Sequence, residues 1–210
     1  MNREKLVRSK LAWARDGRLL VADTGPKRRL PPGQHLVRDW PVLDLGQQPN
    51  LGKRDWRLVV GGLVERPLDW GWAEFARLRT AETTSDIHCV TGWSRYDNRW
   101  SGVPAAVLLA DVRPRADAKF VILKSFDGYA TGIDLDDFAA PGVLLATHWD
   151  GQPLTREHGG PVRLVVPHLY FWKSAKWLRH IWFADREAKG YWEARGYHRR
   201  GNPWRQERYG

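Results

Sequence analysis

Ser85-Asp86-Ile87-His88-Cys89-Val90-Thr91-Gly92-Trp93-Ser94 decides how the chain is read, because it carries the only cysteine in 210 residues. Residues 83–90 read as a strand entering the interior, and at Gly92 the chain is expected to open into a polar, aromatic segment that runs to Gly102-Val103-Pro104. The sulfur then stands where a rigid strand gives way to a loop, a common place for binding and catalytic groups. Three fates are open to it. It can be a small buried hydrophobe, a redox or nucleophilic thiolate, or a soft ligand for a metal.

Working outward, Ile87-His88-Cys89-Val90-Thr91-Gly92-Trp93-Ser94, followed by Trp100-Ser101-Gly102-Val103-Pro104, resembles the molybdenum-ligand segment of the sulfite oxidase family. Within that family it is most similar to the catalytic subunits of bacterial protein-methionine-sulfoxide reductases. Two later stretches, His158-Gly159-Gly160-Pro161-Val162-Arg163-Leu164-Val165-Val166-Pro167 and Ser174-Ala175-Lys176-Trp177-Leu178, resemble the family's pterin-binding segments in the same order. His35-Leu36-Val37-Arg38-Asp39-Trp40-Pro41-Val42 resembles the segment that crosses the pterin. Gly190-Tyr191-Trp192-Glu193-Ala194-Arg195-Gly196-Tyr197-His198 resembles the segment whose tyrosine points at the metal.

The resemblance implies an α+β chain with the sulfite oxidase-type molybdopterin-binding fold, built of mixed, mostly antiparallel sheets with short helices. It implies a molybdenum-molybdopterin cofactor, with Cys89 as the metal ligand and Cys89, Tyr197 and Arg38 as catalytic groups. His35, Arg38, Cys89, Ser125, His158, Arg163, Ser174, Ala175 and Lys176 are the implied cofactor-binding residues. The Gly92 and Trp93 amides are candidates for hydrogen bonds that tune the sulfur. The implied reaction is two-electron oxygen-atom transfer on a small or protein-bound sulfur or other oxo substrate, with an external one-electron carrier. Where sulfite oxidases place an asparagine and arginines after the cysteine, this chain has Trp93-Ser94, which counts against sulfite itself.

Composition sets the outer bounds. A chain of 210 residues with 42% hydrophobic and 28% charged residues suits one well-cored domain. Residues 1–34 read as a basic extension and connector, and residues 35–210 as the molybdopterin-binding domain. One cysteine excludes a disulfide framework and any all-cysteine metal site. The net charge of +10 asks for an anionic partner, which an anionic cofactor supplies in part. The rival readings are a basic nucleic-acid-binding protein or a cofactor carrier without turnover. Neither the basic residues 1–10 nor Lys27-Arg28-Arg29 forms a long enough run to favour nucleic acid. No apolar run approaches the ~20 residues of a spanning helix, and a cytoplasmic protein is the expectation.

Along the chain, the alternation of Trp56, Leu58 and Val60 predicts a strand, with Gly61-Gly62 as a tight turn after it. Asp69 is expected to cap a helix whose Trp72, Phe75, Ala76 and Arg79 face inward. A short apolar helix is expected over 103–112, and strands over 120–123, 129–135, 143–149, 162–166 and 177–183. The carboxylates Asp134, Asp136 and Asp137 fit a helix start better than a metal cluster.

Overall fold

A computed structural model describes residues 29–210, so the basic residues 1–28 lie outside the described part. In chain order the elements are β1 (His35–Leu36), β2 (Arg57–Gly62), β3 (Leu68–Gly71), α1 (Trp72–Phe75), β4 (Ala81–His88), β5 (Trp93–Pro104) and α2 (Ala105–Val112). There follow β6 (Phe120–Ser125), β7 (Ala130–Asp134), α3 (Leu135–Ala139), β8 (Leu144–Trp149), β9 (Gln152–Pro153), β10 (Arg163–Val165) and β11 (Leu178–Ala184). Four short 3-10 segments aside, this is the mixed-sheet fold with few helices that the sequence implied.

Two sheets make the scaffold. In the first, β5 is the axis: β4 pairs along one edge, β1 and β8 share the other, β10 continues from β8, and β9 forms a short hairpin with β8. The second runs β3-β2-β11-β6-β7. Among the described residues only β1–β5 and β2–β11 pair in parallel. The period-two pattern holds from Trp56 to Val60: Trp56, Leu58 and Val60 are completely buried, while Arg57 is exposed and Val59 half-buried. A large core gathers Leu58, Val60, Leu108, Leu123, Ile181 and Phe183 with their neighbours. A smaller, tryptophan-rich core holds Cys89 together with Trp40, Ile87, Trp93 and Trp100.

Several local expectations are corrected. Residues 93–104 are one twelve-residue strand, not an opening loop. Its polar middle works because each group is satisfied: Asn98 is fully buried and donates to the carbonyls of Ser85 and Arg95. Gly61-Gly62 is no turn but the end of β2, where the Trp182 ring lies over Gly61 so closely that a Cβ there would stand 2.7 Å from it. Asp69 belongs to β3 opposite Val59 and pairs with Arg57, so it caps nothing. The helix it was expected to start is only the four-residue α1, with Gly71 at its N-cap. The acidic pair does open α3 as expected, and Asp137 is bound there by Arg200 at 2.8 and 2.9 Å and by His168 at 3.0 Å.

Candidate active site

Cys89 begins the turn that joins β4 to β5. Its amide donates to the Trp93 carbonyl at 2.8 Å, and the Gly92 amide donates to the Cys89 carbonyl at 3.0 Å. Gly92 therefore braces the turn, and its amide is not the donor to sulfur that the sequence suggested. It holds a φ of +100°, a left-handed setting that glycine tolerates and side-chain-bearing residues avoid. Thr91 Oγ1 lies 3.1 Å from the sulfur, within hydrogen-bond reach.

The sulfur faces a cavity of about 800 Å³, its open mouth included, with walls from both sheets. Ser125, Arg163, Ser174, Lys176 and Tyr197 line the same space as Cys89. Six expected site residues therefore converge, although Cys89 and Tyr197 stand 108 positions apart in sequence. Trp40, Trp93, Phe171, Trp172, Trp177 and Trp192 supply most of the apolar wall. A space of this size, largely aromatic with a few convergent polar groups, is of the kind that takes a cofactor.

Each polar group has a definite state. Arg163 is 1% exposed and donates to the carbonyls of His158 and Ser174, both at 2.9 Å, with a longer bond to Leu164. Among the described residues no carboxylate pairs with it, and burial alone pulls its pKa down to about 9. A buried guanidinium without an anion is costly, and three carbonyls leave two of its five N–H groups for an anionic ligand. Ser125 Oγ and Tyr197 Oη are buried with no hydrogen-bond partner. Burial, with smaller contributions from Tyr209 and Cys89, pushes the Tyr197 phenol well up, so it stays protonated at neutral pH and has a hydrogen to donate. Lys176 Nζ rests on the Glu157 carbonyl at 2.6 Å. Ser174 uses its own Oγ to accept from the Val166 amide, which fixes the loop rather than a ligand.

Four expected site residues do not line the cavity. His158 is buried and stacked on Trp40 at 3.7 Å between ring centres, 6° from parallel. Burial, then the charges of Arg163 and Lys176, lower its pKa to about 4, so at neutral pH the ring is uncharged; its Nδ1 is buried without a hydrogen-bond partner, and its carbonyl orients Arg163. His35 acts through its backbone, donating to the Gly92 carbonyl at 2.9 Å. Arg38 is exposed, with its carbonyl accepting from Arg95. Ala175 is buried and accepts from the Leu164 amide.

Sequence reasoning missed the support behind this wall. Lys173 and Glu193 form a buried ion pair, and the same Glu193 oxygen accepts from Thr131 Oγ1 and Trp172 Nε1, both at 3.0 Å. Trp172 belongs to the cavity wall, so the pair braces that wall through its indole. Gln34 and Arg208 also act on the cysteine turn, and neither carries a pattern that singles it out in sequence.

The donor set suits one particular kind of occupant. Among the described residues no three His, Cys, Asp or Glu side chains come together as a metal site. A metal at Cys89 would therefore have one protein ligand and take the rest from an organic group. That group would meet the unpaired guanidinium, the unpartnered Ser125 and Tyr197 hydroxyls and the aromatic wall. The residues present fit an anionic organic cofactor carrying a thiolate-bound metal.

Comparison with known proteins agrees with this donor set. Residues 45–192 match the family described as oxidoreductase molybdopterin binding domain. The chain is 46% identical over 182 residues to the uncharacterized oxidoreductase YuiH of Bacillus subtilis, covering 86% of this chain and 92% of that one. It is 35% identical over 141 residues to a putative protein-methionine-sulfoxide reductase subunit, YedZ1, of Azospira oryzae, covering 67% of this chain and 53% of the relative. Identity is 31% over 153 residues to the protein-methionine-sulfoxide reductase catalytic subunit MsrP of Xanthomonas axonopodis, covering 65% and 47%. Among solved structures, the sulfane dehydrogenase SoxCD from Paracoccus pantotrophus aligns with a TM-score of 0.61 at 26% identity, over 66% of this chain and 40% of that one. The chain thus spans nearly all of YuiH but about half of the methionine-sulfoxide reductase relatives.

Proposed function

Because the chain belongs to the oxidoreductase molybdopterin binding domain family, we propose that its cavity holds molybdenum-molybdopterin and that the enzyme transfers an oxygen atom to or from sulfur. When bound, that cofactor supplies two-electron oxygen-atom exchange, balanced by one-electron steps with an external carrier. The observation that carries the proposal is the shared cavity of Cys89 and the unpaired Arg163 guanidinium.

The roles follow from the chemistry of each group. Cys89 is the thiolate ligand to the metal. Arg163 offers paired, charge-assisted bonds to the cofactor's anionic end, and Lys176 adds a second cation on the same wall. Ser125 Oγ, left without a partner, meets a polar edge of the organic group. Tyr197 keeps its proton at neutral pH and donates a hydrogen bond to the reacting oxygen. The aromatic wall excludes water and favours a neutral substrate. Arg163 and Lys176 are the only cations that line the cavity among the described residues, and both are assigned to the cofactor. A sulfoxide therefore fits better than the sulfite anion, in keeping with the activity named for the methionine-sulfoxide reductase relatives. Residues 35–210 as the catalytic unit and a cytoplasmic location belong to the same proposal, and cell fractionation tests the latter.

Elemental analysis of purified protein tests the core of this reading. About one molybdenum per chain is expected, falling to background in Cys89→Ser while the fold persists. Turnover of methionine sulfoxide, but not of sulfite, with reduced viologen as electron donor tests the substrate class. Wild-type protein free of molybdenum after expression in a host that makes the cofactor overturns the proposal.

A further inference from the structure

Two successive carbonyls of the cysteine turn are held by side chains from outside the family-matched residues 45–192. Gln34 is 2% exposed and donates from Nε2 to the Cys89 carbonyl at 3.1 Å, while its Oε1 accepts from Ser94 Oγ at 3.2 Å. Arg208 is 8% exposed and donates from Nη1 to the Val90 carbonyl at 3.3 Å. Its Nη2 reaches the Gly33 carbonyl at 3.2 Å, and its Nε reaches Tyr170 Oη at 3.2 Å. Tyr170 is followed by Phe171 and Trp172, both in the cavity wall. One planar guanidinium thus joins the ligand turn, the connector before β1 and the opposite wall. A lysine ammonium has three donors but is a compact charge without the planar fork that reaches these separate acceptors.

This guanidinium is not needed merely to hold the tail. Arg199 is already tied to Asp134, and Arg200 grips Asp137 through two bonds. The tail therefore has its own anchors on β7 and α3, and Arg208 is left to act on the turn. We propose that Gln34 and Arg208 are positioning residues that fix the Cys89 thiolate from two segments flanking the family domain. The role as metal-ligand support rests on the molybdenum reading above. The clamp itself is a property of the protein alone.

The test uses full-length wild type, Gln34→Ala, Arg208→Ala, Arg208→Lys, the Gln34→Ala/Arg208→Ala double variant and Arg200→Ala as the tail control. In cofactor-free protein the alkylation rate of Cys89 by iodoacetamide is measured below the unfolding transition. Release of the turn is expected to raise it about tenfold in Arg208→Ala and only partly in Arg208→Lys. The double variant is expected to fall short of the product of the singles, because both side chains hold one turn. In loaded protein, outer support of a metal ligand is typically worth 10- to 100-fold in metal affinity or activity. Molybdenum retention on dialysis should fall by that factor, with a shifted electron paramagnetic resonance spectrum of the metal that is unchanged in Arg200→Ala. Equal alkylation rates in wild type and Arg208→Ala, or an equal change in Arg200→Ala, overturns the clamp. Should Arg208→Ala not fold, Arg208→Lys and Gln34→Ala decide the same comparison. A wild type without molybdenum removes the metal reading while the alkylation arm still judges the clamp.

Discussion

Replacing Arg163 by Met separates the cofactor reading from a merely structural arginine. The guanidinium is almost fully buried, satisfied by three carbonyls and unpaired with any described carboxylate. Its two remaining N–H groups give an anionic ligand two charge-assisted bonds, each worth about 1.5–3 kcal/mol. Together they make roughly 10²- to 10⁴-fold in cofactor affinity, at 1.4 kcal/mol per tenfold. A ligand present at about 100 times its Kd stabilises the folded state by ~2.7 kcal/mol. For a chain of this size that is a Tm rise of roughly 5–11 °C, at about 2–4 °C per kcal/mol. The assay compares thermal melts of loaded and cofactor-free protein, for wild type and Arg163→Met, alongside molybdenum content. The gap between the two melts should be several degrees in wild type and close to zero in the variant. Measuring each variant against its own cofactor-free form removes the cost of the three lost carbonyl bonds. Arg163→Met with full molybdenum content and an unchanged gap would refute the reasoning.

Other consequences can be measured without the cofactor. Burial lowers both His88 and His158 to about 4, with the charges of Arg163 and Lys176 adding to the shift of His158. Between the ordinary histidine value near 6.5 and about 4 the unfolded chain binds protons that the folded chain does not, so stability should fall as pH drops through that window. Urea melts at pH 7 and pH 4.5 should show the loss, and His158→Phe should reduce it. Lys173→Met leaves Glu193 charged and buried, costing about 3–5 kcal/mol, whereas Lys173→Met/Glu193→Leu should recover much of this in a chemical melt. In Gly102→Ala the new Cβ would stand 2.2 Å from the Leu145 carbonyl oxygen and 2.6 Å from Ala146 Cα, both backbone atoms. Soluble yield and Tm should fall sharply, with an overpacking cost at or above the usual ~1–3 kcal/mol.

Legibility in the sequence followed the physics of each signal. Period-two burial marked β2, and short apolar runs marked β6, β8 and β11 within a residue or two, because water and core impose those patterns directly. The polar stretch of β5 concealed a strand because its stability comes from buried side-chain bonds such as those of Asn98, which no hydropathy pattern carries. Asp69 looked like a cap since aspartate caps helices well, yet pairing with β2 claimed it for a strand. At the site, the resemblance located Cys89, Ser125, Arg163, Ser174, Lys176 and Tyr197 on one cavity. It also placed His158 among cofactor contacts; the fold stacks that ring on Trp40 of the cavity wall, uses its carbonyl to hold Arg163 and leaves its Nδ1 buried without a partner. The Lys173–Glu193 pair and the grip of Arg208 were invisible, since they join positions far apart in the chain.

Because Val90 waits for a partner 118 residues downstream, the cysteine turn has a timetable during synthesis. At about 5–20 residues per second the ribosome needs roughly 6–24 s after making Val90 to deliver Arg208. Until then the pocket has one wall unbraced, and a nascent chain offers its prosthetic group an unfinished receptacle. With the clamp as proposed, loading is expected late in the life of each molecule, and chains cut short upstream of the arginine are expected to be poor recipients however well their sheets have formed.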